Sequence, residues 1–272
     1  MNQAIKKTLS KKPKSYLFNL LLFIAFAMNL WQSFQGATIN FLRLESLGIN
    51  LRIMFEGLID IQWDFFFGRG VYRFAEGVVY LILQTVAIGF IGTLIGTILA
   101  VPFGFLASEN LMGKKLASFG DFLLTFIRVF PEIILALIIV KGFGINALTG
   151  VLTIGLHSVG MIGKLFSESI DNMDRGPIEA IQSFGGSKVD QARYGIIPQV
   201  LPEFISIALY RFDINVRSAT VLGIIGAGGI GTSLILASEN WNWDILGTIL
   251  LAIVIMVLSI DFISNFLRKK LI

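Results

Sequence analysis

The sequence predicts an all-helical membrane protein that crosses the bilayer about six times, on three observations. First, the 272 residues are 55% hydrophobic and 15% charged with a mean hydropathy of +0.78, too apolar for an ordinary soluble domain. Second, charge-free tracts recur over 15–42, 77–108 and 218–238, each long enough to cross. Third, positive charge is distributed unevenly between the stretches that join the apolar tracts, as topology requires. Cysteine is absent and His157 is the one histidine, which excludes disulfides, thiolate metal sites and His-based clusters.

Residues 1–15 form a basic tail carrying Lys6, Lys7, Lys11, Lys12 and Lys14, and a first transmembrane helix is expected over 16–36. A cleaved signal peptide competes with that reading, but the apolar run is long for one and further spans follow. Trp31 suits an interfacial belt. From 37 to 76 the charges alternate in sign, and Leu51, Met54, Phe55, Leu58 and Ile59 share one helical face, the pattern of an interfacial segment outside the membrane. The transmembrane domain then occupies 77–272. Gly89, Gly92 and Gly96 place small residues near one face of its first span, where helices approach closely in lipid, and Pro102 is expected to kink or end that span.

A third span is expected from about Phe122 to Val140. It contains Arg128 and Glu132 at the i, i+4 spacing, which either pair at depth or snorkel to the surface. A fourth, over 142–163, holds His157, read as a hydrogen-bonded packing residue rather than a ligand or proton relay. The stretch 203–217 is polar for a span, with Arg211, Asp213, Asn215 and Arg217, and Asp213 and Arg217 have the acid-first spacing of a helical ion pair. The last span covers 245–267. On this topology the basic tail, Lys114 and Lys115, the Lys164 to Arg193 stretch and Arg268 to Lys270 fall on one side. They outnumber Arg43, Arg52, Arg69, Arg73 and Lys141 on the other, which puts both termini in the cytoplasm.

Two motifs stand out. Gly226, Gly228, Gly229 and Gly231 spell a literal G-x-G-x-x-G, but no βαβ context surrounds it, and a glycine-rich break in a span is the better reading. Glycine there lends backbone N–H groups to an anion or lets a helix bend. The second motif is the polar segment 176–198. Pro177 starts a short helix in which Ile178, Ile181 and Phe184 share a face, and Gly185 and Gly186 stop it. Ser187 and Asp190 make a capping-box-like start to a second, expected to end near Gly195 ahead of Pro198. Such an elbow, with an apolar face turned to the cytoplasm, suits docking in a partner's groove; the competing reading is a solvated loop.

Glu179-Ala180-Ile181, then Gly185 and Ile197-Pro198, resemble the EAA motif of ABC-importer permeases, with Ile181 replacing a second Ala and Gly195 replacing an Ile. The tracts QTVAIGFIGTLIG (84–96), AVPFGFLAS (100–108), YGIIPQVLP (194–202) and LYRFDINVRSATVLGIIGAGGIG (209–231) are similar to the phosphonate and phosphite ABC-transporter permease family. The resemblance runs from Gln84 to the end; the preceding part matches only in outline. It implies a type I ABC importer permease fold and a homodimer in the inner membrane. It further implies two cytoplasmic ATP-binding subunits docked on the elbow, an extracytoplasmic substrate-binding protein, and a phosphonate or phosphite anion as cargo. ATP and Mg would be bound by the partner ATPase, and this chain would carry no cofactor. Glu179, Ala180, Ile181, Gly185 and Pro198 would then couple to the ATPase, while Arg211, Asp213, Asn215, Arg217, Gly226, Gly228, Gly229 and Gly231 would form the gate and pathway. Arg217 either meets the oxyanion through its paired N–H donors or is held by Asp213.

Two other function classes compete. A secondary transporter or channel for a small anion would use Arg128, Glu132, Arg211 and Asp213 as ion sites and need no ATPase. An intramembrane enzyme is the weakest, for want of a nucleophile and base pair. The chain has no P-loop, and no nucleic-acid partner is expected.

Overall fold

A computed structural model describes the backbone of residues 15–36 and 42–271, and the side chains of 18–33 and 48–270. Most of the predicted basic tail lies outside the described residues, as does 37–41. The chain divides into two units, 1–53 and 54–272. The first contains α1 (Ser15–Gly36), which occupies the expected 16–36 stretch, and ends within α2 (Leu42–Ile59). Phe18, Phe23, Phe26 and Trp31 lie exposed along α1.

The second unit begins with the end of α2, which packs closely on a later helix: a Cβ on Gly57 would meet Trp243 Cβ at 2.5 Å. There follow α3 (Trp63–Phe67), closed by Gly68 at φ +64°, and a 3-10 turn at Phe74–Glu76. Phe65 is buried against Val78, Leu81, Ile230 and Ile249, so this segment is anchored to the bundle rather than loose on its surface. Next, α4 (Val78–Ala107) is 30 residues of charge-free helix, about 45 Å long. Pro102 does not end it. The glycine face predicted from sequence is its packing face: a Cβ on Gly92 would lie 2.8 Å from Ile154 Cβ, one on Gly96 2.7 Å from Ser158 Cβ, and one on Gly104 2.7 Å from Phe166 Cβ. All three neighbours belong to α7 (Ala147–Asp171), so α4 and α7 form the close-packed centre.

The expected third span is not continuous. It is built from α5 (Glu109–Val129) and α6 (Glu132–Phe143), bent by 80°. Pro131 causes the break, because its ring drives Phe130 out of the helical region, to φ −68° and ψ 121°. Within α5, Gly113 at φ +73° interrupts the helix, and nothing lies within 4 Å of where its Cβ would be. The body of α5 packs on α7, where a Cβ on Gly160 would lie 2.8 Å from the Leu124 carbonyl oxygen. The foot of α5 is held elsewhere: Asp171, at the end of α7, accepts hydrogen bonds from Ser108 Oγ (2.5 Å) and Asn110 N (3.0 Å).

The fourth helix starts and ends later than the expected 142–163, because Asn146 caps α7 by accepting from Thr149 N (3.0 Å) and the helix then carries Lys164 and Glu168 on to Asp171. After α8 (Gly176–Ser183) comes a turn at Lys188–Asp190, a π turn at Gln191–Ile196, and α9 (Ile197–Ile224). The second elbow helix therefore does not end near Gly195. Pro198 has no N–H to continue the α pattern, and the widened π turn takes up the mismatch, so the chain passes into α9 unbroken. A glycine turn separates α9 from α10 (Ile230–Glu239), and α11 (Trp243–Leu271) completes the bundle.

Among the described residues, α4, α7 and α11 are long and apolar enough to cross a membrane, and the bent α5–α6 pair makes a fourth if counted as one span. The count of about six is thus not reached by these helices. The α10 helix is 10 residues and too short, while α9 carries Arg211, Asp213 and Arg217.

Candidate functional site

Helix α9 organises the polar interior. Arg211, Asp213 and Asn215 are all buried on it, although charge is costly at membrane depth. Asn215 is 1% exposed and donates from Nδ2 to Thr93 Oγ1 on α4 (2.8 Å) and to Ser158 Oγ on α7 (2.8 Å). Its Oδ1 accepts from Arg211 Nη2 at 3.3 Å. One amide therefore ties three helices together and gives a buried guanidinium its hydrogen bond. Asp213, on another face, takes Arg217 Nη2 at 2.6 Å, which forms the expected i, i+4 pair, and Asp261 of α11 stands 4.0 Å from the same nitrogen.

Of the two readings considered for Arg128 and Glu132, pairing is not formed among the described residues. The break at Pro131 leaves the two on differently directed helices, and Glu132 instead accepts from Ser218 Oγ on α9 (2.9 Å). Arg128 is exposed. Glu132, Arg217 and Ser218 line one cavity of about 400 Å³ with Pro131, Ile214 and Val221. Arg211 Nε, Asp213 Oδ1 and His157 Nδ1 are buried with no hydrogen-bond partner among the described residues, so His157 is not hydrogen-bonded at that nitrogen as expected.

The glycine break has a fixed geometry. Gly226, Gly228 and Gly229 take φ of +94°, +79° and +77°, values that side chains other than glycine rarely adopt. Gly231 touches α9 so closely that a Cβ would overlap the Thr220 carbonyl oxygen and lie 2.9 Å from Gly223 Cα. The backbone N–H groups here are already engaged by α4: Gly229 N donates to Gln84 Oε1 (3.1 Å) and Ile230 N to Thr85 Oγ1 (2.8 Å). These two N–H groups are not open to an anion, and the partly buried turn joins α9 to α10.

The elbow differs from expectation in which side it shows. Ile178 and Ile181 turn inward, where a Cβ on Gly195 would meet Ile178 Cγ1 at 3.1 Å. Phe184 does not share that buried face and is 93% exposed, beside Val189 at 73%. The exposed apolar surface is therefore these two side chains flanking Gly185, whose φ of +79° ends α8. Glu179 and Ala180 are exposed, and Pro198 is exposed at the root of α9. Ser187 caps the following turn reciprocally with Asp190, Ser187 N and Oγ both donating to Asp190 Oδ2 (2.9 and 2.6 Å). These bonds hold the Asp190 carboxyl below its ordinary 3.8. Arg175 donates to Asn110 Oδ1, which joins the elbow to the foot of α5.

Thr93, Ser158, Gln84, Thr85 and Ser218 were not singled out from sequence. The available signal was a hydroxyl beside a glycine in a charge-free helix, as in Gly92-Thr93 and Gly155-x-x-Ser158. Among the described residues no three metal-ligating side chains converge.

A glycine-packed centre of long apolar helices, a buried polar helix, a glycine turn and a polar elbow are the features of a multi-pass membrane protein. The fold is that of type I ABC importer permeases: a chain of the inward-facing MetNI methionine ABC transporter superposes with a TM-score of 0.64 over 72% of this chain and 96% of that one, at 21% identity. The profile described as "Binding-protein-dependent transport system inner membrane component" matches residues 92–272, and the chain belongs to that family. Its relatives include the phosphite transport system permease protein PtxC of Stutzerimonas stutzeri, 38% identical over 190 residues and 69% of each chain. The phosphate-import permease protein PhnE of Mycolicibacterium smegmatis is 35% identical over 70% of this chain and 36% of that one.

Proposed function

We propose that this chain is the permease subunit of an ATP-driven importer for phosphonates or phosphite, working as a homodimer with both termini in the cytoplasm. Two ATP-binding subunits, which hold ATP and Mg, dock on the elbow at Phe184 and Val189, with Glu179, Ala180, Ile181 and Gly185 shaping it. An extracytoplasmic binding protein delivers the anion. Closure of the ATPase pair tilts the spans through the elbow and exchanges outward for inward access in a two-state change. The observation that carries this reading is 38% identity to a phosphite transport permease over 69% of each chain. The elbow geometry supports the docking role.

In the pathway, Arg217 serves both roles considered from sequence. Its Nη2 is held by Asp213, while Nε and Nη1 have no protein partner among the described residues and are available to an oxyanion. The test is uptake of labelled methylphosphonate by cells with and without the gene, competed by excess phosphite and by excess phosphate. Gene-dependent uptake that phosphite inhibits and phosphate does not is the expected result. Uptake independent of the gene refutes the cargo.

A further inference from the structure

The cavity beside Arg217 carries more information than an anion site needs. If it held only a cation and hydroxyls, it would accept any oxyanion of suitable size. Instead it sets the Glu132 carboxylate, from α6, across from Arg217 and Ser218 of α9. Ser218 Oγ occupies Glu132 Oε2 at 2.9 Å, and no described residue hydrogen-bonds Oε1. An ionised carboxylate only accepts hydrogen bonds, so a ligand facing it must bring a donor. Arg217 only donates, so the same ligand must also bring an ionised oxygen.

The surroundings reinforce the requirement. Asp213 lies 2.6 Å and Asp261 4.0 Å from Arg217 Nη2, and the Glu132 carboxylate also acts electrostatically on His157 of α7 and Arg211 of α9. The cavity's one lining cation, Arg217, is already faced by Asp213 and Asp261, and a third carboxylate, Glu132, lines the same cavity, so it is not a well for a dianion. It fits a ligand with one negative oxygen and one acidic P–OH.

We infer that Glu132 is a specificity-determining residue that admits phosphorus oxyanions in their singly ionised, P–OH-bearing form, with Glu132 accepting from the P–OH while Arg217 holds the ionised oxygen. The inference rests on the cargo class given above. It adds that the dianion, and oxyanions without an acidic proton, pass poorly even when delivered.

The second ionisation of a phosphoryl group lies near neutrality, about 6 for a phosphomonoester, so pH sets the fraction of the permitted form. The experiment is gene-dependent uptake of labelled phosphite by the complete transporter between pH 6 and 8, in wild type, Glu132→Gln and Glu132→Ala, with the same binding protein throughout so that its own preference cancels in the variant-to-wild-type ratio. Glutamine can donate as well as accept and carries no charge. The Glu132→Gln to wild-type ratio should therefore rise by about 50-fold from pH 6 to pH 8, as the singly ionised fraction falls. A His157→Asn variant, which removes the imidazole on which Glu132 acts, should keep the wild-type profile. Identical profiles for wild type and Glu132→Gln overturn the inference, as does a profile flattened by His157→Asn alone. Failure of both Glu132 variants to assemble with the ATPase also overturns it, by making the residue part of the scaffold. Absence of gene-dependent phosphite or phosphonate uptake by wild type at every pH is a different failure, that of the cargo assignment itself.

Discussion

Replacing Asn215 with leucine, which is of similar volume, removes every polar atom through which three helices are joined at depth. Two hydrogen bonds between neutral groups, to Thr93 and Ser158, are lost outright. Such bonds between membrane helices are worth about 0.6 kcal/mol each on average. The larger loss is at Arg211, 7% exposed, whose recorded hydrogen bond is to Asn215 Oδ1. A hydrogen bond to a charged group contributes about 1.5–3 kcal/mol. The sum is about 3–4 kcal/mol, or roughly a 100-fold or greater shift in the folded fraction. Removing the guanidinium as well, in Arg211→Met with Asn215→Leu, takes away the stranded charge and should recover about half of the loss, a non-additivity expected of groups in one network. Reversible unfolding of the purified permease in mixed micelles, followed by tryptophan fluorescence, measures both. A single-variant loss under about 0.5 kcal/mol, or a double variant less stable than the single, would refute the view that Asn215 satisfies Arg211.

Gly231→Ala forces a methyl into the Thr220 carbonyl and should cost about 1–3 kcal/mol and most of the uptake, whereas unchanged thermal stability would show that the α9–α10 contact is loose. Gly185→Leu meets no neighbour within 4 Å but is strained at φ +79° by about 1–2 kcal/mol, so membrane insertion should survive while substrate-stimulated ATP hydrolysis falls; normal coupling would sink the elbow assignment. Because Ser187 depresses the Asp190 carboxyl, folded below unfolded, the capping turn is stabilised at pH above the ordinary 3.8 and loses that stabilisation as pH falls through the depressed value. Amide protection over residues 187–191, measured relative to the intrinsic exchange rate at each pH, should therefore fall on acidification below that point in wild type, and Ser187→Ala should abolish this acid dependence; an unchanged dependence would remove Ser187 as its cause.

The parts of this fold legible in the sequence were those governed by local rules. The α4 helix announced itself by an absence of charge and its packing face by glycines at helical spacing. The stop of α8 at Gly185 and the Ser187–Asp190 cap followed from residue types alone. Two local rules were present but misweighted: Pro131 breaks the third span, while Pro198 fails to break the entry to α9 because a π turn absorbs it. What could not be read was pairing across distance. Thr93 and Asn215 are separated by 122 positions, and Glu132 pairs not with Arg128, four residues before it, but with Ser218, 86 residues on. The inward turn of Ile178 and Ile181, leaving Phe184 alone outside, likewise depends on where Gly195 returns. The resemblance to importer permeases supplied the functional frame that spacing did not.

The two attachments of α5 bear on how force is carried in this molecule. Its first residues are bound to Asp171 and, through Asn110, to Arg175 at the elbow, so the foot of the helix is joined to whatever moves the elbow. Its later turns are keyed into α7 at Gly160. Between these two anchorages the backbone passes through Gly113, which already holds a dihedral that other residues avoid and has open space around it. Torque on the foot thus meets a swivel before it meets the bundle, and α5 behaves as two linked rods rather than one stiff bar.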